Sequence, residues 1–208
     1  LILNDAYIPD KQYPLSFIEN YNADIVKDAL IKNPKLKESD VFNLRKERYD
    51  DMINKLDTID FDKENIFSIN VPTGTGKTIL AYSVAFYICS KISKNNSTFR
   101  PHIIHSLTFN SVIDQNYEVL IEIVENNINK EISSEDLMKF HSVVPIEYEN
   151  FEGYDARFCF ENWQSKIIST TFVQLLNTIF KIGKNSIVNR FHRLANSVII
   201  LDEVQAID

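Results

Sequence analysis

The stretch that decides the fold of this chain is Pro72-Thr73-Gly74-Thr75-Gly76-Lys77-Thr78. The apolar run at residues 65–71 before it predicts a buried strand, and the run at residues 79–88 after it predicts a buried helix. A glycine loop between a strand and a helix N-terminus forms an anion cradle, because the loop amides and the helix dipole both face the anion. In such a loop the Lys77 ammonium reaches the terminal phosphates and the Thr78 hydroxyl ligates Mg²⁺. We therefore assign all seven residues to the binding of a nucleoside triphosphate.

Strands and helices alternate along most of the rest of the chain. Strands are predicted at residues 102–107, 167–170 and 197–201, and helices at residues 39–56, 111–128, 134–140, 172–181 and 187–194, with a helical pattern near residues 23–31. This alternation predicts an α/β fold in which helices cover both faces of a parallel sheet. A chain of 208 residues has enough material for one such domain and an appendage.

An acidic pair completes the predicted site. Asp202-Glu203-Val204-Gln205 directly follows the strand predicted at residues 197–201. Because ligands bind at the carboxyl ends of parallel strands, this pair is expected on the same edge of the sheet as the glycine loop. Asp202 is placed to hold Mg²⁺, and Glu203 to polarise the water that attacks the γ-phosphate. Taken alone, such a pair is more often a charged helix N-terminus; the loop and the pair together favour an ATPase.

The charge of the chain is distributed unevenly. A net charge of −7 argues against a surface that binds polyanions generally, so nucleic acid would need a local basic patch. The interval between Glu161 and Asp202 contains no acidic residue, and its basic residues are Lys166, Lys181, Lys184, Arg190 and Arg193. This interval is either a solvated basic face or part of a nucleic-acid surface. The cysteines, Cys89 and Cys159, are expected to be free thiols.

Several of these segments resemble the motifs of superfamily 2 helicases. The glycine loop resembles helicase motif I, in which the position of Val71 is not glycine, and Asp202-Glu203-Val204-Gln205 resembles a variant of the DEAD/DEAH-box motif II. This variant is similar to that of the CRISPR-associated helicase-nuclease of type I systems. Residues 103–115 resemble its motif Ia, with Thr108 where proline is usual. Residues 161–171 resemble its Asn-Trp and motif Ib region, and residues 190–197 resemble the lead-in to motif II.

The resemblance implies a function and a domain organisation. It implies a RecA-like lobe over residues 41–208, incomplete at its C-terminal end, with residues 1–40 as a linker or the tail of a preceding domain. The activity implied is ATP hydrolysis, with Mg²⁺, coupled to movement along single-stranded DNA, and little is expected from this chain alone. Thr170 and Thr171 would contact DNA phosphates, and Arg45 would contact the nucleotide base.

The resemblance also implies partners and a location. The partners are a Cascade-type CRISPR complex, a second RecA-like lobe and an HD nuclease domain, in the cytoplasm of a prokaryote and without a membrane. Residues 1–40 contain no histidine and hence no HD ligand pair. The alternatives are another superfamily 2 RNA helicase, a restriction-type translocase, or a binding module that does not turn over nucleotide.

The remaining histidines and aromatic residues are expected to be structural. We expect His102 and His105 to share one face of their strand without forming a zinc site. Trp163 and the aromatic residues Tyr148, Phe151 and Tyr154 could stack on bases, but a role in the core is favoured.

Overall fold

A computed structural model describes residues 42–61, 63–72, 76–95, 101–128, 132, 134, 136–141, 154–182 and 190–206. The α-helices are α1 (Phe42–Leu56), α2 (Lys77–Asn95), α3 (Asn110–Ile128), α4 (Tyr154–Glu161) and α5 (Phe172–Phe180). The strands are β1 (His102–Leu107), β2 (Leu137–Phe140), β3 (Ile167–Thr171) and β4 (Ser197–Leu201). Short 3₁₀ helices lie at Phe191–Leu194 and Val204–Ala206.

The four strands form one parallel sheet in the order β2-β3-β1-β4. In the register of this sheet Ile104 of β1 lies beside Ile168 of β3 on one side and Ile199 of β4 on the other. Every strand thus ends at the same edge, as a sheet built from strand-helix-strand units requires. The predicted RecA-like α/β fold, a parallel sheet flanked by helices, is confirmed.

Helices cover both faces of the sheet and create two cores. The core beneath α2 and α3 contains Tyr82, Ala85, Phe86, Cys89, Ile103, Leu120, Leu137 and Ile167. The core beneath α4 and α5 contains Ile104, Met138, Phe160, Trp163, Ile168 and Leu175. Because side chains alternate between the faces of a strand, Ile103 and Ile104 enter different cores. Among the described residues, no helix is both long and apolar enough to cross a membrane.

The segment before the glycine loop does not form the predicted strand. Residues 64–72 carry no strand pairing, although the burial of residues 67–71 alternates as in an extended chain. Phe67 and Ile69 pack against a third core, formed between α1 and α2, and Val198 of β4 also packs there. Ile66, on the opposite side, is 91% exposed. The apolar pattern therefore located an extended segment beside β4 but did not determine its hydrogen bonding, which depends on the neighbouring backbone.

Two predicted helices are also wrong in part. The helix expected at residues 134–140 is instead strand β2 over Leu137–Phe140, which pairs with β3. Periodicity does not separate helix from strand in such a short apolar run, so pairing with β3 decides it. Of the helix expected at residues 187–194, Arg190 is α-helical and Phe191–Leu194 form a 3₁₀ helix, whereas residues 187–189 lie outside the described residues. The helical pattern near residues 23–31 lies outside the described residues.

Candidate active site

Residues from two distant segments meet at the carboxyl edge of the sheet. Lys77 is the first residue of α2, and Asp202 and Glu203 follow β4. The Lys77 Nζ lies 3.3 Å from Asp202 Oδ1 and also contacts Glu203 Oε1. The Asp202 amide donates to the Ser106 carbonyl at 3.1 Å, which continues the pairing of β4 with β1 by one residue. The structure thus brings together the three side chains that the sequence placed at one edge.

The burial of the three side chains is unequal. Asp202 is 10% exposed, whereas Lys77 is 34% and Glu203 is 42% exposed. The neighbouring His105 side chain and then Lys77 hold the pKa of Asp202 below its ordinary value, against the opposing effect of burial. The contact with Glu203, assisted by Asp202, raises the pKa of Lys77. At neutral pH the site therefore contains an ionised carboxylate and an ammonium that favour each other's charge.

The backbone adopts positive φ angles at Gly76 in the loop and at Glu203 in the acidic pair. Gly76 has a φ of 87°, a left-handed conformation that glycine adopts readily, and its carbonyl accepts from the Leu80 amide at 3.0 Å to start α2. Glu203 has a φ of 58°, which is uncommon for a residue with a Cβ. The Gln205 amide nitrogen donates to Glu203 Oε2, so the carboxylate is held from both sides.

The other predicted residues of the loop are placed only in part. Pro72 is exposed, and Thr78 is half-buried in the first turn of α2. Thr73, Gly74 and Thr75 lie outside the described residues, as does the side chain of Arg45 in α1.

The donor set fits a magnesium nucleotide. Mg²⁺ prefers oxygen ligands and is usually held by one or two carboxylates together with phosphates. Asp202 supplies a carboxylate whose lowered pKa keeps it charged, and the Thr78 hydroxyl is a second oxygen. Among the described residues there is no group of three or more His, Cys, Asp or Glu side chains that could hold a metal alone.

His105 and Tyr82 are part of the site, although the sequence did not indicate it. Both side chains are fully buried, and the Tyr82 hydroxyl lies 2.7 Å from His105 Nδ1. The other ring nitrogen of His105 lies 3.8 Å from Asp202 Oδ2. A histidine directly after two isoleucines in a buried strand was the available signal.

The expectation that His102 and His105 share a face is wrong. They are three positions apart, and side chains on a strand alternate, so they point to opposite faces. His102 Nε2 contacts the Arg193 carbonyl, whereas His105 faces Tyr82.

The two threonines predicted to contact DNA differ in accessibility. Thr170 is fully buried, and its hydroxyl donates to the Phe140 carbonyl at 2.8 Å. Its side chain is thus engaged inside the protein and does not face solvent. Thr171 is half-buried and caps α5, where its hydroxyl accepts from the Gln174 amide at 3.3 Å. Thr171 is therefore the accessible member of the pair, beside a helix N-terminus that favours phosphate.

The two arginines of the basic interval contact aromatic rings and backbone carbonyls of the protein itself. Arg190 is 3% exposed, and its guanidinium lies 4.7 Å from the centre of the Phe140 ring and 4.9 Å from that of Trp163. Arg193 donates to the carbonyls of Trp163, Gln164 and Ser165. Arg190 is thus part of the interior rather than of a solvated face, whereas Arg193 is half-buried.

The predicted core role of Trp163 is confirmed. Its side chain is fully buried in the core beneath α4 and α5. The side chains of Tyr148, Phe151 and Tyr154 lie outside the described residues. Cys89 and Cys159 are free thiols, as predicted.

Comparison with known proteins identifies one family. Residues 38–205 match the family described as "Type III restriction enzyme, res subunit". No curated protein was found to match the chain.

Proposed function

The chain belongs to the family of type III restriction enzyme res subunits, and on that premise we propose that it is a DNA-translocating motor driven by ATP hydrolysis. This family places the chain in helicase superfamily 2, whose members are ATP-dependent helicases and translocases. The observation that carries the proposal is the contact of Lys77 with Asp202 and with Glu203, the latter 126 positions away in the sequence. An ammonium and two carboxylates at the end of a parallel sheet are the groups that phosphoryl transfer to water requires.

Each side chain has a separate role in this proposal. Lys77 donates to phosphate oxygens, while Thr78 and Asp202 provide oxygen ligands for Mg²⁺. Bound Mg²⁺ neutralises the charge that develops on the phosphates. Glu203, the more exposed carboxylate, accepts hydrogen bonds from the attacking water and orients it.

Substitution of Glu203 tests this assignment. In the protein, Glu203→Gln should retain binding of ATP and lower the rate of hydrolysis about 100- to 10,000-fold, the usual contribution of a general base. Lys77→Ala should weaken binding as well. The matched control is Glu118→Gln, which removes an exposed carboxylate of α3 and should leave both quantities unchanged. Hydrolysis at the wild-type rate by Glu203→Gln would contradict the assignment.

The biological setting that we propose is a type I CRISPR interference effector. It is supported by Asp202-Glu203-Val204-Gln205 and by Asn162-Trp163 ahead of β3, which resemble the motifs of the CRISPR-associated helicase-nuclease. In that setting the partners are single-stranded DNA, a Cascade-type complex, a second RecA-like lobe and an HD nuclease domain. Thr171 and the N-terminus of α5 are the proposed contact with DNA phosphates.

A restriction-type translocase is the second candidate, and the family match favours it. A Cascade-type operon beside the gene would support the CRISPR setting, and restriction-modification genes would support the second candidate. Stimulation of the ATPase by RNA rather than by DNA would contradict both and favour an RNA helicase. A Lys77→Ala protein with full biological activity would instead indicate a binding module without turnover.

A further inference from the structure

A buried pair of polar side chains lies behind the acidic pair. Tyr82 projects from α2, and His105 projects from β1 into the core between α2 and the sheet. Their rings meet edge to face, with centroids 5.0 Å apart at 86°, and the Tyr82 hydroxyl is 2.7 Å from His105 Nδ1. Both residues are 0% exposed, and the proposed chemistry of ATP hydrolysis uses neither.

The contact between the Tyr82 hydroxyl and His105 Nδ1 fits an arrangement in which the hydroxyl donates and Nδ1 accepts. Burial raises the pKa of Tyr82, so its hydroxyl stays protonated and can donate to Nδ1. When Nδ1 accepts a hydrogen bond, the proton of the neutral imidazole resides on Nε2. His105 Nε2 has no hydrogen-bond partner among the described residues, and it lies 3.8 Å from Asp202 Oδ2. The N–H dipole is thus directed at the carboxylate from a distance longer than a hydrogen bond.

The two oxygens of Asp202 face different groups. Oδ1 lies 3.3 Å from Lys77 Nζ on the open side of the site, and Oδ2 faces His105 on the buried side. When a nucleotide draws Lys77 towards its phosphates, His105 is the group that still restrains the carboxylate. Groups that hydrogen-bond to a metal ligand are usually worth about 10- to 100-fold in metal affinity, and His105 can act in this way if its contact with Oδ2 shortens from 3.8 Å when the metal binds.

We propose that Tyr82 and His105 are positioning residues that orient the Asp202 carboxylate for Mg²⁺ through the Nε2–H tautomer of His105. The proposal rests on the function proposed above. It gives a role to a tyrosine and a histidine that are both fully buried. It also explains why this polar pair lies directly behind Asp202.

Two amide substitutions of His105 separate positioning from packing. Glutamine places its amide near the position of Nε2, whereas asparagine places its amide near that of Nδ1. His105→Gln therefore retains a donor towards Asp202, and His105→Asn retains only the contact with Tyr82. The affinity of each variant for Mg²⁺ is measured through the Mg²⁺-dependent binding of a fluorescent ADP analogue, with thermal unfolding as the test of folding.

The expected result is an asymmetry between the two variants. His105→Asn should need about 10- to 100-fold more Mg²⁺ for half-maximal binding, and His105→Gln should stay within about threefold of the wild type. Binding of the analogue without Mg²⁺ should be equal in both. If the two variants lose the same Mg²⁺ affinity and melt at the same lowered temperature, His105 only fills space and the proposal is overturned.

The tautomer can be observed directly without nucleotide. In ¹⁵N-histidine-labelled protein, long-range NMR correlations should show a protonated Nε2 and an unprotonated Nδ1 for His105. Tyr82→Phe keeps the ring but removes the hydroxyl that holds the imidazole, so it should weaken Mg²⁺ affinity in the same direction as His105→Asn. A wild-type signal from the Nδ1–H tautomer would refute the proposal.

The variant Asp202→Asn distinguishes failure of this proposal from failure of the proposed function. If Asp202→Asn binds the analogue with unchanged Mg²⁺ dependence, Asp202 is not a metal ligand and the proposed site is wrong. If Asp202→Asn loses that dependence while both His105 variants keep it, the motor assignment stands and the positioning role is wrong.

Discussion

The coupling between Lys77 and Asp202 can be measured because its size follows from the geometry. Two unit charges 3.3 Å apart attract by about 1.3 kcal/mol in a water-like dielectric and by about 5 kcal/mol at an effective dielectric of about 20. Asp202 is 10% exposed and Lys77 34% exposed, so solvent screens the pair in part. Surface pairs contribute up to about 1 kcal/mol, so we expect a coupling energy of about 1–2 kcal/mol for this one.

A double-mutant cycle isolates this coupling energy. The variants are Lys77→Met, Asp202→Asn and the combination, each unfolded by urea at neutral pH and low salt without nucleotide. The control is the cycle of Lys139→Met and Asp114→Asn, a pair at 2.8 Å in which Asp114 is 49% exposed. This pair is shorter but more exposed to solvent, so its coupling energy should be smaller. A coupling below about 0.3 kcal/mol for the first cycle, or a stronger coupling in the control, would refute the reasoning from burial.

Three further outcomes are expected from other parts of the structure. Arg190→Lys should lower the free energy of unfolding, measured in urea, by about 2 kcal/mol. The reason is that lysine cannot stack on the Phe140 and Trp163 rings or keep the guanidinium's fixed hydrogen bond to Gln174. An unchanged urea midpoint would argue against the stacking. Thr171→Val should cost about 1 kcal/mol by the same measurement, through loss of the cap of α5, and Thr171→Ser, which keeps the hydroxyl, should cost less. The third outcome concerns Asp57, whose pKa is lowered first by the Tyr87 hydroxyl and then by Lys91. This stabilisation is present above the unfolded pKa of about 4 and is lost as the pH falls through the folded pKa, so the difference in melting temperature between wild type and Asp57→Asn should shrink below about pH 4. A difference that stays constant to lower pH would contradict it.

The sequence predicted the longer strands of the sheet better than strand β2 and the segment before the glycine loop. Strands β1 and β4 were predicted at their observed bounds, because each is an apolar run between polar turns and is long enough to recognise. Strand β2 was mistaken for a helix, since four residues carry too little periodicity and only pairing with β3 gives them their conformation. The segment before the loop has strand-like burial but no pairing, a distinction that side-chain patterns do not contain.

The candidate site shows the same division. Lys77, Asp202 and Glu203 could be predicted from the sequence, because the direction of chain in a parallel sheet sends every strand end to one edge. The inward orientation of Thr170 could not be predicted, since it depends on the Phe140 carbonyl of a neighbouring strand. The burial of Arg190 could not be predicted either, since it depends on the rings of Phe140 and Trp163 that pack against its guanidinium.

What the sequence alone determined is the set of groups that we propose to bind phosphate and metal, and the edge at which they meet. Local residue types and chain direction are enough for that, because the glycine loop and the acidic pair each carry their own geometry. Only the tertiary structure decided which side chains stand behind them. His105 and Tyr82 come from elements separated in sequence, and their approach to Asp202 arises from the packing of α2 on the sheet, which no local pattern records.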